Sequence, residues 1–281
     1  VLATTAVLTG AATASHATTV STLVAIRAAH HPGFDRVVLQ FDGPLPTQRV
    51  ATWVSSVTND ASGKHVWVAG HAFLQRVFSP ADAHDANGPT VRTRTTFALP
   101  NVTQVVVNGD FESVLSVAVG VQRKTTVHYF TLTSPTRVVM DFTTPYTWYQ
   151  RHVYYLNVDR FADGTTPYTI GVRRPLIPPA LARQALERLW AGPTRTERAN
   201  GLRFVRSEAN GFKNLSISDG VARVQLTGGC DSHGSTYTIA NELMPTLRQF
   251  ASVSWVKIYG PLGFTEQPTG HVDSIPPCLE P

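Results

Sequence analysis

The sequence predicts two domains, an N-terminal all-β sandwich followed by a C-terminal α+β domain with two helices packed on a small sheet. Three observations carry this. With 281 residues the chain has room for two domains of ordinary size. Its first half is a succession of short β-rich runs separated by turn residues, and its second half sets two segments of helical period among strands. Its content of 42% apolar, 9% aromatic and 15% charged residues is that of a globular chain able to bury cores.

In chain order, strands are expected at residues 22–27, 36–41, 49–57, 66–69, 74–78, 102–107, 113–121, 127–132 and 137–141. Apolar side chains recur at every second position in Arg36-Val37-Val38-Leu39-Gln40-Phe41 and through 114–121, as half-buried strands require. His31-Pro32-Gly33, Asp42-Gly43-Pro44, Asn87-Gly88-Pro89 and Asn108-Gly109-Asp110 supply turn chemistry between them. Only residues 80–84 suggest a helical turn. The sandwich is bounded at 21–143, and the Pro-bearing stretch 144–152, which loses alternation, is read as the linker.

The second domain, 153–281, opens with strands at 153–159 and 169–173. Pro178-Pro179 then leads into a helix from Ala180, since the first helical N–H groups need no partner. Leu181, Ala185, Leu186, Leu189 and Trp190 share one face, and Gly192-Pro193 stops the helix. Strands at 215–217 and 221–226 form a hairpin through Ser218-Asp219-Gly220. Ser235 is expected to cap a second helix through Phe250, kinked at Pro245, before a strand at 254–259.

Residues 1–14 are almost all small or apolar, and Ser15-His16-Ala17 has the small-x-small form of a signal-peptidase site. Residues 1–17 are therefore read as a signal-peptide remnant, with the mature chain beginning near Thr18. Neither a lipid-attachment Cys nor a later apolar run long enough to span a bilayer follows. The expected location is extracellular or wall-associated. In that compartment two cysteines predict one disulfide, Cys230 to Cys278. The rival reading makes Cys230 a nucleophile with His233 as its base, in Cys230-Asp231-Ser232-His233.

Net charge is +5, and residues 173–206 concentrate arginine at positions 173, 174, 183, 188, 195, 198, 203 and 206 against Glu187 and Glu197. Arg195, Arg198 and Arg203, just past the helix stop, are candidates for contact with an anionic wall polymer or acidic protein face. Nucleic acid is an unsuitable partner for an exported chain.

The chain has no Gly-x-Ser-x-Gly elbow, zinc helix, phosphate loop or dinucleotide-binding glycine pattern. No catalytic, cofactor or metal residues are assigned. His30-His31 and His84-Asp85 are read as solvated turn residues, and Asp110 with Glu112, two apart, do not face each other as a glycosidase pair must. Trp53 and Trp67 are read as core. Trp148 and Tyr149, in the linker, are candidates for a ligand or partner surface. Asp35, Arg36 and Arg137 are expected to form surface ion pairs.

Two resemblances add to this. Residues Gly33-Phe34-Asp35-Arg36-Val37-Val38-Leu39-Gln40-Phe41-Asp42-Gly43, Gly109-Asp110-Phe111-Glu112 and Pro135-Thr136-Arg137-Val138-Val139-Met140-Asp141 resemble the AMIN-like family of actinobacterial exported proteins. Relatedness to AMIN domains implies a β-sandwich that binds peptidoglycan. Residues Leu186-Glu187-Arg188-Leu189-Trp190-Ala191-Gly192-Pro193-Thr194, Met244-Pro245-Thr246-Leu247-Arg248-Gln249-Phe250 and the tail Ser274-Ile275-Pro276-Pro277-Cys278 with Gly229-Cys230 resemble the GerMN domain of sporulation, germination and envelope proteins. Its members are read as interaction modules, which implies a protein partner or self-association. The combined expectation is a non-catalytic envelope scaffold whose sandwich engages wall glycan. A wall hydrolase using Cys230 and His233, or a pure interaction module, is the alternative.

Overall fold

Alternation in the first half becomes two facing sheets. The computed structural model describes residues 19–281, so the expected signal segment and its cleavage point lie outside the described residues. The strands of the first domain are β1 Ser21–His31, β2 Phe34–Asp42, β3 Gln48–Val54, β4 Ala72–Ser79, β5 Ala81–Asp82, β6 His84–Asp85, β7 Gly88–Pro89, β8 Arg94–Thr96, β9 Val102–Phe111, β10 Val114–Val121, β11 Val127–Thr133 and β12 Thr136–Thr143. They form one sheet of order β11-β12-β2-β1-β5 and another of order β3-β4-β10-β9-β8, with β6 and β7 as a separate small ladder. Along β2 every second side chain, Asp35, Val37, Leu39 and Phe41, is buried. Phe41 meets Phe78 of the facing sheet with ring centroids 5.4 Å apart.

Strand β10 departs from the half-buried expectation: every residue from Leu115 to Val121 is buried. A third layer covers its outer face, where Val57 and Val68 pack on Val106 and Ala118. Residues 66–69, expected as a strand, belong to that layer and do not form one. Their backbone bonds elsewhere: the Val66 N–H donates to the Val57 carbonyl at 2.8 Å, and the Ala69 carbonyl accepts from Thr103 Oγ1. Gly120 is required here, since a Cβ would lie 2.1 Å from the Ala69 carbonyl oxygen. Residues 80–84 carry short strands and no helical turn.

The second domain contains β13 Tyr149–Asn157, α1 Val158–Ala162, β14 Thr169–Leu176, α2 Leu181–Ala191, α3 Arg195–Ala199, β15 Leu202–Arg203, β16 Ala209–Ser218, β17 Val221–Gly228, α4 Ala240–Arg248, β18 Trp255–Tyr259 and a 3₁₀ turn at Pro277–Leu279. Its strands divide into two three-stranded sheets, β14-β13-β15 and β16-β17-β18, the latter with β17 and β18 parallel. Leu186, Leu189 and Trp190 of α2 and Leu243 and Leu247 of α4 close a single core with Val153, Tyr155, Val224 and Val256.

Helix α2 starts and stops as expected, with Gly192 at φ 79° ending it. Helix α4 begins later than Ser235, because that hydroxyl is engaged in a tight turn with Tyr237; its carbonyl accepts and its N–H donates. The stretch read as linker to residue 152 is strand from Tyr149 onward, paired from Tyr149↔Leu176. Pro145 and the mixed polar pattern hide this, and only the partner strand reveals it. The unforeseen α3 has a sequence signal in Thr194-Arg195-Thr196-Glu197: the Glu197 N–H donates to Thr194 Oγ1 at 3.3 Å and the Thr194 N–H to Glu197 Oε2 at 2.7 Å.

The expected pairing among Asp35, Arg36 and Arg137 is also corrected. Asp35 is wholly buried and accepts from the N–H groups of Asn101 at 2.6 Å and Val102 at 2.9 Å. Arg36 instead forks onto Asp141, both contacts 2.7 Å, while Arg137 donates to the Pro135 carbonyl.

The domains share a buried junction. Arg188 of α2, 1% exposed, donates to the carbonyls of Phe97 at 3.2 Å, Leu99 at 2.6 Å and Pro100 at 3.3 Å in the sandwich. Burial, and then the nearby Arg174 cation, push its guanidinium down to about 9, so it stays charged at neutral pH. The Ala191 carbonyl at the end of α2 accepts from Thr96 Oγ1 and, at 3.2 Å, from Gln104 Nε2. Trp67 of the sandwich packs against the core of the second domain.

Replacing Arg188 by Met removes the donors and leaves these three carbonyls, that of Pro100 buried, without their partner. It should cost about 2 to 4 kcal/mol. In calorimetry the expected outcome is separation of the unfolding of the two domains; a single unshifted transition contradicts this role.

Glu242 of α4 is wholly buried, accepting from the Leu156 N–H at 2.9 Å and the Val205 N–H at 3.3 Å. Burial raises its pKa well above the ordinary carboxylate range. Its contribution is therefore fully present below the unfolded value of about 4.3 and is lost as pH rises towards the folded value. Glu242→Gln should remove that loss, so the variant's melting temperature should gain on the parent's between acidic and neutral pH. A pH-independent difference contradicts it.

Candidate functional sites on the two domains and at their junction

Three surfaces collect chemistry-bearing side chains. On the sandwich, the turn joining β9 to β10 places Glu112 and Ser113 at positive φ, 49° and 57°, and leaves Phe111 67% exposed. Beside it opens a cleft of about 540 Å³, floored by Val91 and Val107 and edged by Asn59, Asp60, Asn108 and Asp110. Hydrogen bonds hold the polar edge. Asn108 Nδ2 donates to the Thr58 carbonyl at 2.8 Å, and Asp110 Oδ1 accepts from the Ala83 N–H at 3.0 Å.

His84 Nδ1 lies 2.8 Å from Asp110 Oδ2, and this hydrogen bond holds the imidazole above its ordinary pKa. Asp82 completes a cluster in which one atom from each residue lies within 4.8 Å of the others, a spacing compatible with a divalent cation. His84, expected as a solvated turn residue, is exposed but tied to Asp110. Glu112 and Asp110 both edge the cleft.

On the second domain, Cys230 and Cys278 form a disulfide with a Cα–Cα distance of 5.7 Å. The neighbouring Ser232 N–H donates to the Cys278 carbonyl at 2.8 Å, and Ser274 pairs with the strand through Ile258 and Val256. The tail is thereby bound to β18. With its sulfur in this bond, Cys230 offers no thiolate to His233, which is exposed and lies 3.3 Å from Glu208 and 3.6 Å from Asp231. Glu208, Asp231 and His233 form a second exposed cluster of metal-compatible spacing. Leu262 and Phe264, in the loop after β18, are 85% and 70% exposed.

The arginine-rich stretch divides by burial. Arg174 is buried and forks onto Glu197 at 2.7 and 2.6 Å. Arg183 lies 3.2 Å from Glu187, and Arg188 forms the junction described above. Arg195 and Arg198 line a hollow together with Arg27 and Arg92 of the sandwich. Arg203 stands apart from that hollow, donating to the Arg198 carbonyl at 2.7 Å.

Of the aromatic candidates, Trp148 is half-buried, edge-on to His30 at 6.0 Å, and Tyr149 is 47% exposed at the start of β13. Trp53 is half-buried, edge-on to Phe142. Sequence reasoning missed Phe111, Leu262 and Phe264. Phe111 had a weak signal, an apolar residue inside a polar turn.

Substituting both Cys230 and Cys278 by Ser should lower stability by about 2 to 4 kcal/mol, since the bridge closes a separation of 48 residues. Denaturant titration of the double variant against the parent measures it. Coincident midpoints would contradict a stabilising bridge.

Residues 21–144 match the family model for the AMIN-like domain, and residues 152–259 match the Germane model, described as sporulation and spore germination. No curated protein and no solved structure matches the chain. Among the described residues no helix is long and apolar enough to cross a membrane. In this order the chain carries an AMIN-like domain followed by a Germane (GerMN) domain, the make-up of a cell-envelope or sporulation-related module.

Proposed function

We propose that this chain is a non-catalytic binding and scaffold protein of the cell envelope, in which the AMIN-like sandwich engages wall glycan and the Germane domain engages a protein partner. The observation that carries the glycan half is the cleft beside Phe111. An exposed aromatic ring next to fixed amides and carboxylates offers a sugar both an apolar face and hydroxyl partners, and about 540 Å³ suits a small oligosaccharide. The protein half rests on Leu262 and Phe264, on either side of Gly263 in one loop and both far more exposed than large apolar residues usually are. The engagement of Cys230 with Cys278 supports the non-catalytic reading over a thiol hydrolase.

Co-sedimentation of the whole chain with purified peptidoglycan tests the glycan half. The parent should sediment, and Phe111→Ala should weaken binding about tenfold, the effect of losing about 1.4 kcal/mol of ring contact. A parent chain that stays in the supernatant overturns glycan binding and leaves a module that only positions proteins.

A further inference from the structure

Three hollows open in a row where the two domains meet. The first, about 350 Å³, has Arg27 and Arg92 on the sandwich side and Arg195 and Arg198 on the other. The second, about 420 Å³, shares Arg92 and Arg198 and adds Arg94 and Arg206. The third, about 600 Å³, shares Arg94 and Arg206 and adds His65. No Asp or Glu lines any of the three. Among the described residues, none of these six arginines is in an ion pair.

Arg198 adds a separate observation. Its Nη1 donates to the Pro193 carbonyl, but Nε and Nη2 are closed off from solvent and have no hydrogen-bond partner. Enclosed charged donors without acceptors are unfavourable, and an anion seated at the boundary of the first two hollows would lie beside this under-satisfied cation and offset its charge.

We propose that this junction is a composite groove for a linear, phosphate-bearing polyanion, held by arginines from both domains. All six cations are guanidinium groups, whose fork matches the paired oxygens of a phosphate better than an ammonium does. Their arrangement selects a thin flexible chain. Each hollow has the size of a small-ligand site, and the shared arginines link one to the next, so charges repeated along a strand can occupy them in turn. A folded acidic protein face is broad and cannot enter hollows of this size. The groove also explains why the arginine-rich stretch is incomplete by itself: Arg27, Arg92 and Arg94, which come from the other domain, supply half of the cations.

The test titrates the whole chain with long-chain inorganic polyphosphate and, in parallel, with poly-glutamate of equal charge. Arg92→Gln and Arg195→Gln take one cation from each side. Both residues are exposed, and an unchanged melting temperature verifies folding. Polyphosphate should bind, and its affinity should fall steeply between low and physiological salt. Each variant should weaken binding about fivefold to tenfold and lower the steepness of the salt dependence by about one charge. Lys213→Gln with Arg173→Gln, exposed and outside the hollows, should leave binding unchanged. Equal loss in that control pair reduces the effect to net charge and overturns the groove, as does insensitivity to both Arg92 and Arg195. Equal affinity for poly-glutamate overturns the phosphate assignment. Phe111 lines none of the hollows, so Phe111→Ala should leave polyphosphate binding intact, which separates this result from that of the glycan cleft.

Discussion

A buried cation must find acceptors, and Arg188 finds them in another domain. Its position on the inward face of α2 takes its guanidinium out of water, and no carboxylate reaches it by hydrogen bond. The carbonyls of Phe97, Leu99 and Pro100 carry out that role. Those carbonyls lie in the segment between β8 and β9, which has no strand partner of its own for them. Each side thus leaves unsatisfied what the other supplies, and the domains are held in one arrangement by mutual polar need as well as by apolar contact.

The arrangement has consequences along the junction. Because α2 ends against β8 and β9, its last carbonyl is capped by Thr96 and Gln104 of the sandwich. The chain that follows, α3 with its Thr194 cap, is then set beside Arg92 and Arg94. Glu197, the one acid of that segment, is occupied by its own cap and by Arg174, so it cannot neutralise the arginines around it. Two structural ion and cap contacts inside the second domain therefore leave a surplus of positive charge at the boundary. The cleft at Phe111 lies on the sandwich and the exposed Leu262 and Phe264 on the second domain, and none of the three residues lines the hollows of the junction.

Much of the fold was legible because it is local. Period-2 alternation in β2, glycine and proline at the turns, and the apolar face of α2 bounded by Pro179 and Gly192 each act within a few residues. Where sequence reading failed, a distant partner decided. Val66 and Val68 are apolar because they cover β10, Trp67 because it packs on the core of the second domain, and pairing with β14 makes Tyr149 to His152 strand despite Pro145 nearby. Ser235 has the chemistry of a helix cap but spends it on Tyr237.

By itself, the sequence determined the two-domain order, the sandwich and α+β classes, the positions of most strands and of α2, and a clustering of arginine after residue 173. The tertiary structure alone decided what those arginines do. Composition counts Arg174, Arg188, Arg195 and Arg203 alike, since each carries one charge. Burial separates them: Arg174 is neutralised inside its own domain, Arg188 is driven onto foreign carbonyls, Arg195 is left facing Arg27 and Arg92, and Arg203 is turned aside. Electrostatic role depends on dielectric surroundings and on neighbours brought together across about 100 residues of chain, and neither quantity is written in the local pattern.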